Sequence, residues 1–272
     1  KRFFSTTILV AVFAAVLGSV FNPQSLIAKK VVLAVAEPLV TPQPTFTPHN
    51  CKDLEVTEGK NKIILQISDV QGYAWRDVVT TMVNDANNMQ MPVVLSIIPQ
   101  DVHADQELVE FVLNNRCRIE VAQQGSRIQT GESEFKGMTL DEMKDRAVEG
   151  KSILQWVLQT EVETIIPPYN FYNNQLLKAF DDVGYDAISI EGTLRKNQGI
   201  ATFSYFRKRY LEPKQVVQMC KSAFNFNKNC VVILYPSQFE GENYANYANL
   251  LKALSEMKDV EFTTFKNVAL EK

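Results

Sequence analysis

From Ile63 onward, short apolar runs rich in Val and Ile alternate with longer stretches whose apolar residues recur at helical spacing. The runs cover 63–67, 93–98, 118–122, 163–166, 186–190, 231–235 and 261–264. Between them the spacing predicts helices over 76–89, 106–114, 140–158, 173–183, 214–223 and 244–257. Thr139 followed by Glu142 forms a capping-box pattern at the start of the third helix. Gly184 stands after the fourth, where a left-handed C′ residue is wanted. Residues 191–211 follow no clear period and leave room for an extra strand at 202–206. Nearly continuous hydrophobic strands alternating with helices indicate a parallel sheet covered by helices. Seven strand candidates fit either a closed barrel or an open doubly wound sheet, and periodicity does not choose between them. In both geometries functional residues lie just beyond the C-terminal ends of the strands. That rule selects Ser68-Asp69-Val70-Gln71, His103, Gln123-Gln124-Gly125, Pro167-Pro168-Tyr169-Asn170 and Tyr235-Pro236-Ser237-Gln238.

The first fifty residues have a different pattern. Lys1-Arg2 leads into an apolar run at 8–21, broken by Asn22-Pro23. A positive start before such a run reads as an export signal, with Ala34-Val35-Ala36 as a small-x-small cleavage site. Counted from Phe3 to Phe21, the same run approaches the ~20 residues of a retained membrane anchor. Both alternatives place the rest of the chain outside the cytoplasm, secreted or anchored to a membrane. Residues 37–50 (EPLVTPQPTFTPHN) hold four prolines, which favour an extended spacer and exclude a helix. The organisation expected is therefore a signal peptide or anchor over 1–36, a proline-rich linker over 37–50 and a folded domain over 51–272.

Composition narrows the class. The 272 residues are 46% hydrophobic and 22% charged, which is globular rather than disordered. A net charge of -3 lacks the basic footprint of a nucleic-acid binder, so no nucleic-acid partner is expected. No glycine-rich phosphate loop is present. The four cysteines, Cys51, Cys117, Cys220 and Cys230, permit two disulfides in an exported protein, with three possible connectivities. Cys220 with Cys230 closes a short loop and is the favoured pair, leaving Cys51 with Cys117; four unpaired buried thiols are the alternative. The spacing is not that of a zinc site.

Two segments carry a resemblance. One is Ile165-Ile166-Pro167-Pro168-Tyr169-Asn170, followed by a helix and by Gly184-Tyr185 leading into Ile188-Ser189. The other is the strand ending in Ser68-Asp69-Val70-Gln71, with Tyr73 and Trp75 close behind. Together with the order of the five loops, they make the chain from about Lys62 to its C-terminus similar to the polysaccharide deacetylases, the NodB-like or family 4 carbohydrate esterases. The resemblance implies a distorted (β/α)7 barrel. It also implies a divalent metal, usually zinc, that polarises an N-acetyl carbonyl and activates water.

At the chemical positions the chain departs from that family. An aspartate pair, general base then metal ligand, is replaced by Ser68-Asp69. Two histidines four residues apart are replaced by Gln124 and Ile128, an arginine before the proline-aromatic pair by Ile166, and the terminal general-acid histidine by Tyr235. A neutral amide is a poor zinc ligand and isoleucine is none, so Asp69 alone is not expected to hold metal. Without metal, base or imidazole acid there is no activated water and no proton relay. The expectation is a domain that has lost deacetylation, takes no cofactor, and serves as a glycan binder or as a subunit of a cell-envelope or membrane complex. The candidate ligand contacts are Asp69, Gln71, Tyr73, Trp75, Gln123, Gln124, Tyr169, Asn170 and Gln238. The alternative is an active zinc-dependent hydrolase of carbohydrate amides with a site rebuilt from Asp69, His103 and Asp101 or Asp105. In the plainer reading of that loop, Asp105 is a helix N-cap.

Overall fold

The computed structural model describes residues 61–128, 131–190, 193–194, 198–204 and 212–270. The expectations for residues 1–36 and 37–50, and for Cys51, lie outside them.

The first strand, β1 (Asn61–Val70), shows the logic of the whole domain. Its odd-numbered residues Ile63, Leu65 and Ile67 pack with the surrounding helices. Ile64 belongs to a second, inner cluster with Val94, Ala122, Val231 and Ile233. A two-residue period therefore carries two apolar faces, as a strand buried on both sides requires. Gln66 and Ser68 continue the inner face toward the strand's C-terminal end.

The other strands are β2 (Val93–Ile97), β3 (Ile119–Gln124), β4 (Thr164–Ile166), β5 (Ala187–Ile190), β6 (Thr193–Leu194), β7 (Gln198–Ser204), β8 (Asn229–Leu234) and β9 (Val260–Thr263). Their hydrogen-bonded order runs β2-β3-β4-β5-β6-β7-β8-β1-β9, and an additional β2–β1 pairing closes the ring. All pairings are parallel except those of the two-residue β6 with β5 and β7. Parallel neighbours need crossovers, and helices α1 (Arg76–Asn88), α2 (Gln106–Asn115), α3 (Leu140–Leu158), α4 (Asn174–Val183), α5 (Pro213–Asn225) and α6 (Tyr244–Ser255) supply them. The short α7 (Phe265–Leu270) brings Phe265 and Val268 into the inner cluster and closes the barrel at its base. There the carboxylate of Glu120 accepts from the hydroxyl of Thr164 and the backbone N–H of Lys266.

This is the distorted (β/α)7 barrel that the resemblance implies, with a different roster of strands. The upper half of β1 pairs with β2 and its lower half with β9, so β9 fills a gap at the base without completing the wall. The seventh parallel strand is β7, read from sequence only as an extra strand at 202–206. Its Gln, Gly, Ser and Thr dilute the apolar signal that marks the others.

The helix boundaries match the predicted periods to within two or three residues. Thr139 and Glu142 form the reciprocal capping box, and Gly184 is left-handed at the end of α4. Cys220 of α5 and Cys230 of β8 are joined, with Cα atoms 5.2 Å apart, inside the usual disulfide range. Cys117 is also disulfide-bonded. Among the described residues no helix is long and apolar enough to cross a membrane.

Candidate functional site

Parallel strands deliver their C-terminal ends to one mouth of the barrel, and the loops there carry unusual backbone. Asp69, Tyr73, Trp75, Asp101, Tyr169 and Asn170 all have φ between 53° and 64°. Each such non-glycine residue costs about 1 kcal/mol or more, and residues of this kind gather where a site needs a fixed geometry.

At the centre, Asp69 and Gln124 hold each other by two reciprocal bonds. The backbone N–H of Asp69 donates to Gln124 Oε1 at 2.9 Å, and Gln124 Nε2 donates to Asp69 Oδ1 at 2.5 Å. The same Oε1 accepts from the hydroxyl of Ser96 at 2.7 Å. The glutamine thus ties the ends of β1, β2 and β3 together, and one carboxylate oxygen of Asp69 is committed to an amide. Beneath them, Gln66 donates from Nε2 to the Ser68 hydroxyl at 2.5 Å.

The rim is built by two further carboxylates. Asp105 is buried and accepts from the backbone N–H of Tyr73 at 2.7 Å, the N–H of Leu108 at 3.2 Å and Arg76 Nη1 at 3.0 Å. It therefore caps α2 while holding the loop after β1. Burial alone pushes its carboxyl up, but these three donors outweigh that and hold it below the ordinary carboxylate range. Tyr73 completes the clasp by donating its hydroxyl to the carbonyl of Ala104. Glu134 does similar work in the loop after β3, accepting from the N–H groups of Ser126 and Arg127. Gly125 suits this position, because its φ is +59° and a Cβ would lie 2.6 Å from Pro168 Cγ as well as 2.3 Å from Glu134 Oε1. Burial pushes the Glu134 carboxyl up despite those N–H donors.

The expected contact residues divide into four groups. Asp69 and Gln124 are brought together on the floor. Tyr73, Trp75, Tyr169 and Asn170 stand exposed on the rim, with Tyr73 at 68% exposure and the Tyr169 hydroxyl accepting from the N–H of Gly131 at 3.0 Å. Gln71 bridges to Ala74 within the first loop, while Tyr235 and Gln238 are half-buried at the end of β8. Gln123 does not belong to this set. Successive strand residues point to opposite faces, so the neighbour of inward-facing Gln124 points outward. It is 0% exposed, donates from Nε2 to the carbonyls of Gly125 and Ala147, and accepts from the Tyr185 hydroxyl. Its role is to pin α3 to the sheet.

The described residues at the mouth do not fit a divalent metal. Catalytic zinc sites take three nitrogen, sulfur or carboxylate ligands. Here Asp69 Oδ1 accepts from an amide, Gln124 turns its oxygen toward two other donors, and Ile128 is an aliphatic side chain, 45% exposed, whose N–H bonds Gln100. The rebuilt set fares no better. Asp105 is spent on Tyr73, Leu108 and Arg76, and His103 lies exposed in the short 3-10 turn before α2. Among the described residues no group of three or more His, Cys, Asp or Glu side chains could hold a metal ion.

No protein-family model matches the sequence, and no curated protein matches it. Solved structures do. A Mycobacterium smegmatis protein assigned as a polysaccharide deacetylase superposes with a TM-score of 0.57 at 11% identity, covering 83% of this chain and 94% of its own. A family 4 carbohydrate esterase from Streptomyces lividans, solved with acetate, gives 0.54 at 11% identity, covering 75% and 92%. The fold is that of the family 4 carbohydrate esterases. A third esterase-fold neighbour is a pseudoenzyme of family 4 from Bacillus anthracis, solved also as a mutant with restored enzymatic activity. That mutant gives a TM-score of 0.57 at 11% identity over 79% of this chain and 70% of its own. Ser96, Gln100 and Glu134, which now hold the mouth of this esterase-like barrel in shape, carried no motif and escaped sequence reasoning.

Proposed function

We propose that this is an extracytoplasmic domain of the polysaccharide-deacetylase fold that no longer deacetylates, and that its mouth binds glycan or a cell-envelope partner. The observation that carries the reading is the reciprocal Asp69–Gln124 pair, which puts a neutral amide where a metal-ligating imidazole would be needed. Metal-assisted hydrolysis requires a cation held by several anionic or imidazole groups beside the scissile carbonyl. Of the positions Asp69, Gln124 and Ile128, where the resemblance expects ligands, Asp69 alone carries such a group. Exposed Tyr73, Trp75, Tyr169 and Tyr172 support a glycan role, since aromatic faces pack against sugar rings. The Cys220–Cys230 disulfide supports an oxidising compartment.

Calorimetric titration of the protein with zinc, cobalt and manganese tests the metal part of the reading. The expected result is no stoichiometric binding. A one-to-one complex that disappears in Asp69→Ala would overturn it. The pseudoenzyme neighbour regained activity by mutation, and the same repair is proposed here. Ser68→Asp, Gln124→His, Ile128→His and Tyr235→His combined should create metal affinity on the unchanged backbone.

A further inference from the structure

We propose that the base of the barrel, the end opposite the mouth, docks on an anionic lipid bilayer and turns the mouth away from it. The inference goes beyond the glycan-binding reading and does not depend on it. Among the described residues, five exposed large hydrophobic side chains lie in the loops of the mouth: Tyr73, Trp75, Ile128, Tyr169 and Tyr172. Three others, Met89, Trp156 and Phe226, stand where helices α1, α3 and α5 end and the chain turns into β2, β4 and β8. Parallel strands all begin at one end, so these three share the base. Phe226 is the clearest of them. The N–H groups of Phe226 and Lys228 donate to the carbonyl of Ala223, that of Asn227 donates to Phe224, and the Cys220–Cys230 disulfide brackets the turn. A turn held this firmly still leaves its ring 74% exposed, so the gain from taking that ring out of water is left for a partner.

Charge selects a lipid surface as that partner. The strand order β8-β1-β2, with β9 on the lower half of β1, puts the turns at 226–228, 256–259 and 89–92 side by side. The turn at 115–118, before β3, follows them. These turns carry Lys228, Lys258, Arg116 and Arg118 against Glu256 and Asp259, a local excess of cations on a chain whose net charge is -3. Further round the base, Glu161 and Glu163 are met by Lys266. Apolar tips beside cations suit a surface that enters an anionic headgroup layer, where Trp, Lys and Arg are favoured. Chain connectivity points the same way. β1 starts at the base with Asn61, so the sixty residues before it, with their apolar run at 8–21, join the domain at the end proposed to meet lipid.

The chain holds two tryptophans, Trp75 at the mouth and Trp156 at the base, so Trp75→Phe and Trp156→Phe each leave a single probe. The full chain is bound to phosphatidylglycerol–phosphatidylcholine vesicles whose acyl chains carry bromine, a contact quencher, and the two emissions are compared. Trp156 should be quenched and Trp75 should not. Phe226→Ser should lower the ratio of docked to undocked domain about tenfold, and Lys228→Gln about fivefold, both read as lost Trp156 quenching in vesicle-bound protein. Trp75 quenching equal to or above that of Trp156, or quenching of neither, overturns the inference. So does Trp156 quenching that both substitutions leave unchanged. A Trp156 emission that shifts with protein concentration when no vesicles are present assigns the base to a second copy of the chain and overturns it too.

Discussion

Gln123 and Gln124 are neighbours in the chain, identical in chemistry and opposite in use. Gln123 faces outward into the layer between sheet and helices, where Gly125, Ala147 and Tyr185 use both ends of its amide. Gln124 faces inward at the mouth, where it binds Asp69 and Ser96 and remains partly open to solvent. The outer network is sealed and should be expensive to break. The inner one sits where catalysis would occur and should be cheap to change. A partly solvated amide at a barrel mouth can be replaced by water; one sealed in a packed interface cannot.

The largest effect expected is that of Gln123→Ala. It strips a hydrogen-bond partner from the buried Tyr185 hydroxyl and leaves a cavity, and should cost about 3 kcal/mol in urea unfolding. Gly150→Ala attacks the same network from α3. The added Cβ would lie 2.3 Å from Gln123 Nε2 and 3.0 Å from Pro99 Cγ, and should cost about 1–3 kcal/mol by the same measurement. Asp105→Asn should cost about 2 kcal/mol, because an amide cannot accept from Tyr73, Leu108 and Arg76 together. Its pH dependence has a definite sign. The folded carboxyl lies below its ordinary range, so its stabilisation is complete above that range and is lost as pH falls through the folded value. The gap between native and variant stability should therefore narrow on acidification. Gln124→Ala is the smallest of the four, about 1 kcal/mol or less, since water can replace the amide at a partly exposed position.

The same two residues show how far the sequence could be read. Motif order and spacing brought Asp69 and Gln124 to one place across 55 positions, and the structure joins them by hydrogen bonds. Treating Gln123 as their partner ignored the two-residue period that had already identified the strand. Helix ends were legible because caps are local: Thr139, Asp105 and Gly184 act within three or four residues of themselves. The rim was not. Glu134 reaches back eight residues to Ser126, and Gln100 reaches Ile128 across a turn between different strands. No periodicity encodes such contacts. β7 was underweighted for a related reason, since its place in the wall is fixed by pairing with β8 over Ile200–Ser204 more than by its own apolar content.

The proposed exchange of metal chemistry for a neutral clamp at this mouth is decided by acetate release from N-acetylglucosamine oligomers. The unmodified protein is assayed with added zinc, cobalt and manganese. Release indistinguishable from the no-protein background is expected with every metal. Turnover well above background that disappears in Asp69→Ala would contradict it.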